Sequence, residues 1–119
     1  MKYFTIALML ILISVSMVVH AADKTVNYDY CKGKYPTQHS LIEYCYDRQM
    51  QSAHNVYYNY YNKYIYGHDA KDISEKGLIV LRCFMKYEEP SYDTYIYPLV
   101  EYCIEREFKA YDRFHENTE

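Results

Sequence analysis

The 119-residue sequence has no tryptophan, only four phenylalanines, three glycines and three prolines. Three glycines that stand far apart cannot build a loop that cradles phosphate, which needs several of them within one turn. Basic residues are outnumbered, 13 against 16 acidic, and form no Lys/Arg-rich block. The electrostatic footprint of a nucleic-acid binder is therefore missing, and no nucleic-acid partner is expected. Metal-site spacing is absent as well: there is no C-x2-C pair, and no histidine lies three to five residues from another. No nucleophile turn with a Ser/His/Asp arrangement can be assembled. Neither a cofactor nor catalytic residues are expected, and the enzyme class is disfavoured.

Long apolar runs are equally scarce. Phe4 to Val19 is the one candidate, at about 16 residues, short of the roughly 20 that a spanning helix needs. Met1 and Lys2 give it a basic start, and Val19-His20-Ala21 offers small residues where a signal peptidase would cut. Residues 1–21 are expected to be a signal peptide and 22–119 a single helical domain, exported and without stable membrane insertion after cleavage. The mature chain would keep 98 residues with 12 basic and 16 acidic side chains, a net charge of −4. An uncleaved N-terminal segment anchoring a structural protein is the rival reading of the same run.

What the mature chain does have is four cysteines, Cys31, Cys45, Cys83 and Cys103, and 17 of the 18 tyrosines. An even cysteine count in a short exported domain reads as two disulfides, because the compartment is oxidising and a small core needs staples. The cysteines also mark an internal repeat. Leu41-Ile42-Glu43-Tyr44-Cys45-Tyr46-Asp47-Arg48-Gln49-Met50 aligns with Leu99-Val100-Glu101-Tyr102-Cys103-Ile104-Glu105-Arg106-Glu107-Phe108 at a constant offset of 58, with five identities. Upstream, Cys31-Lys32-Gly33-Lys34-Tyr35-Pro36 aligns with Cys83-Phe84-Met85-Lys86-Tyr87, and a proline follows at Pro90. Copy one covers about 28–66 and copy two about 72–116. The second copy has six more residues between its cysteines, which places the insertion between Glu88 and Tyr97. Four cysteines allow three connectivities; a unit copied whole favours Cys31–Cys45 with Cys83–Cys103, and the cross-copy pairings stay open.

Each copy reads as two helical segments joined by a loop, which makes the expected fold all-α: a small disulfide-stapled bundle of two repeated helix–loop–helix units. Gly33 and Pro36 would terminate a leading turn or two near Tyr28 to Lys32. Ser40 with Glu43 has the spacing of a capping box, and a helix should run from there toward Tyr66. Its apolar or aromatic positions Leu41, Ile42, Cys45, Tyr46, Met50, Ala53, Val56, Tyr57, Tyr60 and Tyr64 recur at threes and fours. Asp72 with Glu75 is a second capping-box candidate, for a helix ending near Tyr87. A last helix starts between Asp93 and Pro98 and presents Leu99, Tyr102, Cys103, Arg106, Ala110 and Phe114 at helical spacing. The six tyrosines between Tyr57 and Tyr66 favour a strand by propensity, but no period-two alternation supports one.

Tyrosine takes the place of Phe, Trp and Leu throughout, so its first role is core building with the hydroxyl at the edge. Tyr57, Tyr58, Tyr60, Tyr61 and Tyr64 are the candidate interaction surface if some of them face outward. Glu43 and Asp47, with their counterparts Glu101 and Glu105, are explained by the helix dipole rather than by acid–base chemistry. His39, His54, His68 and His115 are scattered. Were the chain an envelope enzyme or enzyme inhibitor, its pocket would lie between the copies, near Glu43, Arg48, Glu101 and Arg106.

The pattern C-x-x-K-Y-P, a polar loop, S-L-I-E-Y-C and D-R-Q-x-x-x-A over Cys31 to Ala53, partly repeated from Cys83 to Ala110, resembles small exported bacterial proteins of unknown function. Copy two departs from it by Glu107 in place of the glutamine. The resemblance implies a helical protein of the bacterial periplasm or secreted fraction and brings no activity with it. Together these readings favour a binding or interaction module whose partner is a protein or glycan of the cell envelope.

Overall fold

A computed structural model of the chain describes residues 26–116. The expected signal peptide, residues 1–21, falls outside the described residues. In chain order the elements are α1 (Tyr28–Lys34), α2 (His39–Val56), a wide π-turn (Tyr57–Tyr61), α3 (Asn62–Tyr64), a 3-10 turn (Ala70–Asp72), α4 (Glu75–Lys86), β1 (Glu88–Glu89), a second 3-10 turn (Pro90–Tyr92), β2 (Thr94–Tyr95) and α5 (Tyr97–Glu116). The fold is helical, as the periodicity requires. Two helical segments per copy are stapled by Cys31–Cys45 and Cys83–Cys103, each with Cα atoms 5.7 Å apart. Bridges across 14 and 20 residues remove roughly 3 kcal/mol each of unfolded-chain entropy on the loop-closure account.

Two caps differ from expectation. A turn in which the Gln38 N–H meets the Tyr35 carbonyl has already wound the chain before Ser40. Leu41 and Ile42 then donate to the Gln38 carbonyl, so α2 begins at His39 with Gln38 as its cap and the Ser40–Glu43 box does not form. Likewise Asp72 is consumed by a 3-10 turn, its N–H bonded to the Asp69 carbonyl, and Ile73 is extended. Ser74 therefore caps α4, its hydroxyl accepting from the Gly77 N–H at 3.1 Å, and Glu75 sits in the first turn where it complements the dipole. Gly33 does not terminate α1 but lies inside its last turn.

The main core joins the C-terminal half of α2 to copy two: Ala53, Val56, Val80, Cys83, Phe84, Tyr97, Val100 and Ile104. On α5 the inward stripe is Tyr97, Val100 and Ile104, whereas Leu99 and Phe114 are 42% and 68% exposed. The helix is rotated by about one residue, or 100°, from the expected face. Apolar residues occupy two adjacent stripes of α5, and spacing alone cannot choose between them. The choice is made at the helix start, where the Tyr97 N–H donates to the buried Gln49 Oε1 of α2 at 2.8 Å. That side chain supplies the N-terminal cap of a helix in the other copy.

The six-residue insertion of copy two is a hairpin, absent from the sequence expectation. Glu88 pairs with Tyr95 and Glu89 with Thr94, and Asp93, at φ 50°, closes its turn. The hairpin reaches across to copy one. The Tyr92 carbonyl accepts from Asn27 Nδ2, and its ring meets Tyr30 edge-on with centroids 6.0 Å apart. The Tyr95 carbonyl accepts from Gln49 Nε2 at 3.0 Å. Gly33 makes the approach possible, since a Cβ there would stand 2.1 Å from the Tyr92 hydroxyl. Gly33→Ala is therefore expected to lower stability by about 1 kcal/mol, although alanine is the better helix former. In a Tyr92→Ala background the same change is expected to stabilise slightly. Urea denaturation of the four proteins reads the cycle, and an unchanged sign would mean that Tyr92 does not dock on Gly33.

Candidate binding cleft between the two repeats

A cleft of about 390 Å³ opens where the copies meet. α1 and the residue after it give Tyr30, Lys34 and Tyr35; α2 gives Tyr44, Cys45, Arg48 and Gln49; the entry to α5 gives Ile96, Pro98 and Leu99. Each wall is held by a specific tie. The Cys31–Cys45 bridge fastens α1 against α2, with Cys31 fully buried. The two hydrogen bonds of the Gln49 amide fasten α2 to the hairpin and to α5. Tyr97 N–H can only donate and Tyr95 C=O can only accept, so the amide has one orientation. With both ends engaged, Gln49 builds the wall and has little to offer a ligand.

The cleft's chemistry comes from the rest. Lys34 Nζ lies 5.5 Å from the Tyr35 ring centroid. The same pair recurs as Lys86 over Tyr87 in copy two, again at 5.5 Å. Neither Lys34 nor Arg48 is in an ion pair with another described residue. Aspartate, glutamate and histidine are absent from the lining. The surface thus combines two cations, three phenols and an aliphatic wall from Ile96, Pro98 and Leu99. Such an arrangement can bind and orient an anion, and offers no carboxylate or imidazole for proton transfer.

The residues singled out from sequence are distributed unevenly. Arg48 lines the cleft; Glu43, Glu101 and Arg106 do not. Glu101 Oε1 accepts from the Ser52 hydroxyl at 3.3 Å, a further link between the copies. Glu43 and Asp47 lie beyond the first turn of α2, which carries no acid, so the dipole account does not reach them. His54 stacks on Tyr58, and His115 stacks on Tyr111 while lying 3.8 Å from Glu75. Among the described residues, no group of three or more His, Cys, Asp or Glu side chains could hold a metal ion.

The tyrosine run divides. Tyr57, Tyr60, Tyr61 and Tyr64 pack on the core, while Tyr58 stands 69% exposed. The π-turn, in which the Asn62 N–H bonds the Tyr57 carbonyl, gives this segment its extra residue per turn. Neighbouring Tyr60 and Tyr61 can then both turn inward, one onto Phe108 and the other onto Phe84. Tyr57 meets Phe84 and Tyr97, its hydroxyl 3.2 Å from that of Tyr97.

Comparison with protein families, curated proteins and solved structures finds no match. The cleft has to be read from its own chemistry. Lys34 and Tyr35 belong to the repeated C-x-x-K-Y segment, and Tyr44 and Leu99 to the repeated L-[IV]-E-Y-C segment. Their outward placement was the missing signal. Leu41 and Leu99 are 39% and 42% exposed, and Tyr44 and Tyr102 are 63% and 60%, so the two copies carry apolar and aromatic side chains at matching, partly exposed positions.

Burial raises the Tyr60 phenol above its ordinary value, and the Glu105 and Glu101 carboxylates add to the effect. Burial does the same for Tyr61, aided by Tyr66 and Tyr95. Lys76 is also raised, chiefly by its hydrogen bond to Asp112, 3.0 Å away. All three favour the protonated form in the folded state. The stability they contribute is complete below about pH 10 and is lost as pH rises through their folded values. Absorbance at 295 nm should show most tyrosines ionising before these two, with unfolding following. Tyr60→Phe is expected to move the alkaline unfolding midpoint upward; an unmoved midpoint with all tyrosines ionising as one population would contradict the assignment.

Proposed function

We propose that the chain is an exported binding module and that the inter-repeat cleft is its site. One observation carries the reading: two cations without acidic partners face aromatic and aliphatic walls contributed by both copies. A lysine, an arginine and three phenols converging with an aliphatic wall in one cleft are the mixture of apolar lining and few polar groups that small-ligand sites use.

Two disulfides suggest an oxidising extracellular or periplasmic environment. No helix among the described residues is long and apolar enough to cross a membrane. Combined with the N-terminal run and the resemblance of the Cys31–Ala53 motif, this supports export to a bacterial periplasm or beyond, with cleavage after Ala21. The partner is a small molecule, or an exposed group of an envelope protein or glycan, small enough for a cleft of about 390 Å³.

The test is occlusion. Leu99 is half-exposed at the cleft wall, so Leu99→Trp fills the cleft without disturbing the core. Native mass spectrometry of the disulfide-bonded protein after exposure to a bacterial envelope extract should find an adduct that Leu99→Trp lacks, both proteins having equal helical circular dichroism. An equal adduct on both, or none on either, would count against the cleft as the site.

A further inference from the structure

We infer that the cleft selects an amphipathic monoanion, a single carboxylate or equivalent oxyanion joined to an aromatic or aliphatic body. The inference rests on the cleft being the binding site and goes on to name what enters it. Lys34 and Arg48 supply the charge contacts, and Arg48 has a planar fork suited to a carboxylate. The part of the lining made by Ile96, Pro98 and Leu99 carries no side-chain hydrogen-bond donor. A sugar lying there would leave hydroxyls unpaired, whereas an apolar body would be at home.

Charge sets the upper limit on the ligand. The chain carries 16 acidic against 13 basic residues, so its overall field opposes polyanions while the local pair attracts one negative group. Nucleic acid and clustered phosphates are therefore poor ligands. Geometry sets the other condition, because Lys34 stands on α1 and Arg48 on α2. The Cys31–Cys45 bridge keeps the helices that bear them together.

Heteronuclear NMR titration of the disulfide-bonded protein with three probes tests this: 4-phenylbutyrate, its neutral analogue 4-phenyl-1-butanol, and glucuronate. 4-Phenylbutyrate should shift the amides of Tyr30, Tyr44 and Leu99, and bind at least about tenfold more tightly than either of the others. Arg48→Gln, at an exposed position, should weaken 4-phenylbutyrate about tenfold and leave 4-phenyl-1-butanol unchanged; Lys34→Gln is the second variant with the same expected direction. Equal binding of acid and alcohol, unaffected by either variant, would overturn anion selection while leaving the cleft as a site. Tighter binding of glucuronate would overturn the apolar body in favour of a glycan. If none of the three shifts cleft amides, the inference fails, and the occlusion experiment decides the broader reading separately.

Discussion

The amide of Gln49 is the constraint on which the arrangement of the two copies depends. It is 1% exposed, and a buried amide without partners would cost several kcal/mol. Both partners come from copy two, the Tyr95 carbonyl and the Tyr97 N–H. The second of these, at the start of α5, has no carbonyl acceptor within its own helix, and Pro98 beside it has no N–H at all. One side chain therefore satisfies its own burial, caps a distant helix, and fixes the rotation that buries Tyr97, Val100 and Ile104 while Leu99 faces the cleft.

The copies share a pattern and divide the labour. Their bridges span matching helix pairs, and their K-Y pairs match at 5.5 Å. Packing differs: copy two, with the end of α2, builds the aromatic core around Phe84 and Tyr97, while copy one contributes the short α1 and the cationic side of the cleft. The hairpin inserted in copy two turns this asymmetry into an interface, since Tyr92 docks on α1 and Tyr95 on Gln49. The cleft is lined by residues of both copies, and neither copy alone could line it.

Much of this was legible in the sequence, and the failures have physical causes. The repeat favoured the bridge pairing that the structure has, without excluding the cross-copy ones, and it located the insertion, because a change of offset is countable. Helix existence followed from apolar spacing, but helix phase did not. Leu99 and Val100 are equally apolar, and the cap that distinguishes them comes from a residue 48 positions away. Ser40 and Asp72 had the spacing for capping boxes, yet α2 had already started at His39, ahead of Ser40, and a 3-10 turn engages the Asp72 N–H. Gln49 was least readable, since a polar residue in a helix reads as solvated surface. Its one mark was the departure of its counterpart: Glu107 is exposed, and a carboxylate has no N–H to give the Tyr95 carbonyl. Most of the cleft residues lie inside the repeated motif, but Tyr30, Ile96 and Pro98 lie outside it, and spacing does not say which motif residues face outward.

The central claim is that Gln49 holds the copies together, and the most direct measurement compares Gln49→Leu with Glu107→Leu at the equivalent position. Removing the amide takes away its hydrogen bonds to the Tyr95 carbonyl and from the Tyr97 N–H, so urea denaturation should show a loss of about 2–4 kcal/mol. Hydrogen exchange at Tyr97 should accelerate with it. Glu107→Leu, on an exposed face of the same helix type, should change stability by no more than about 0.5 kcal/mol. Equal and small costs at the two positions, with Tyr97 still protected, would contradict the account.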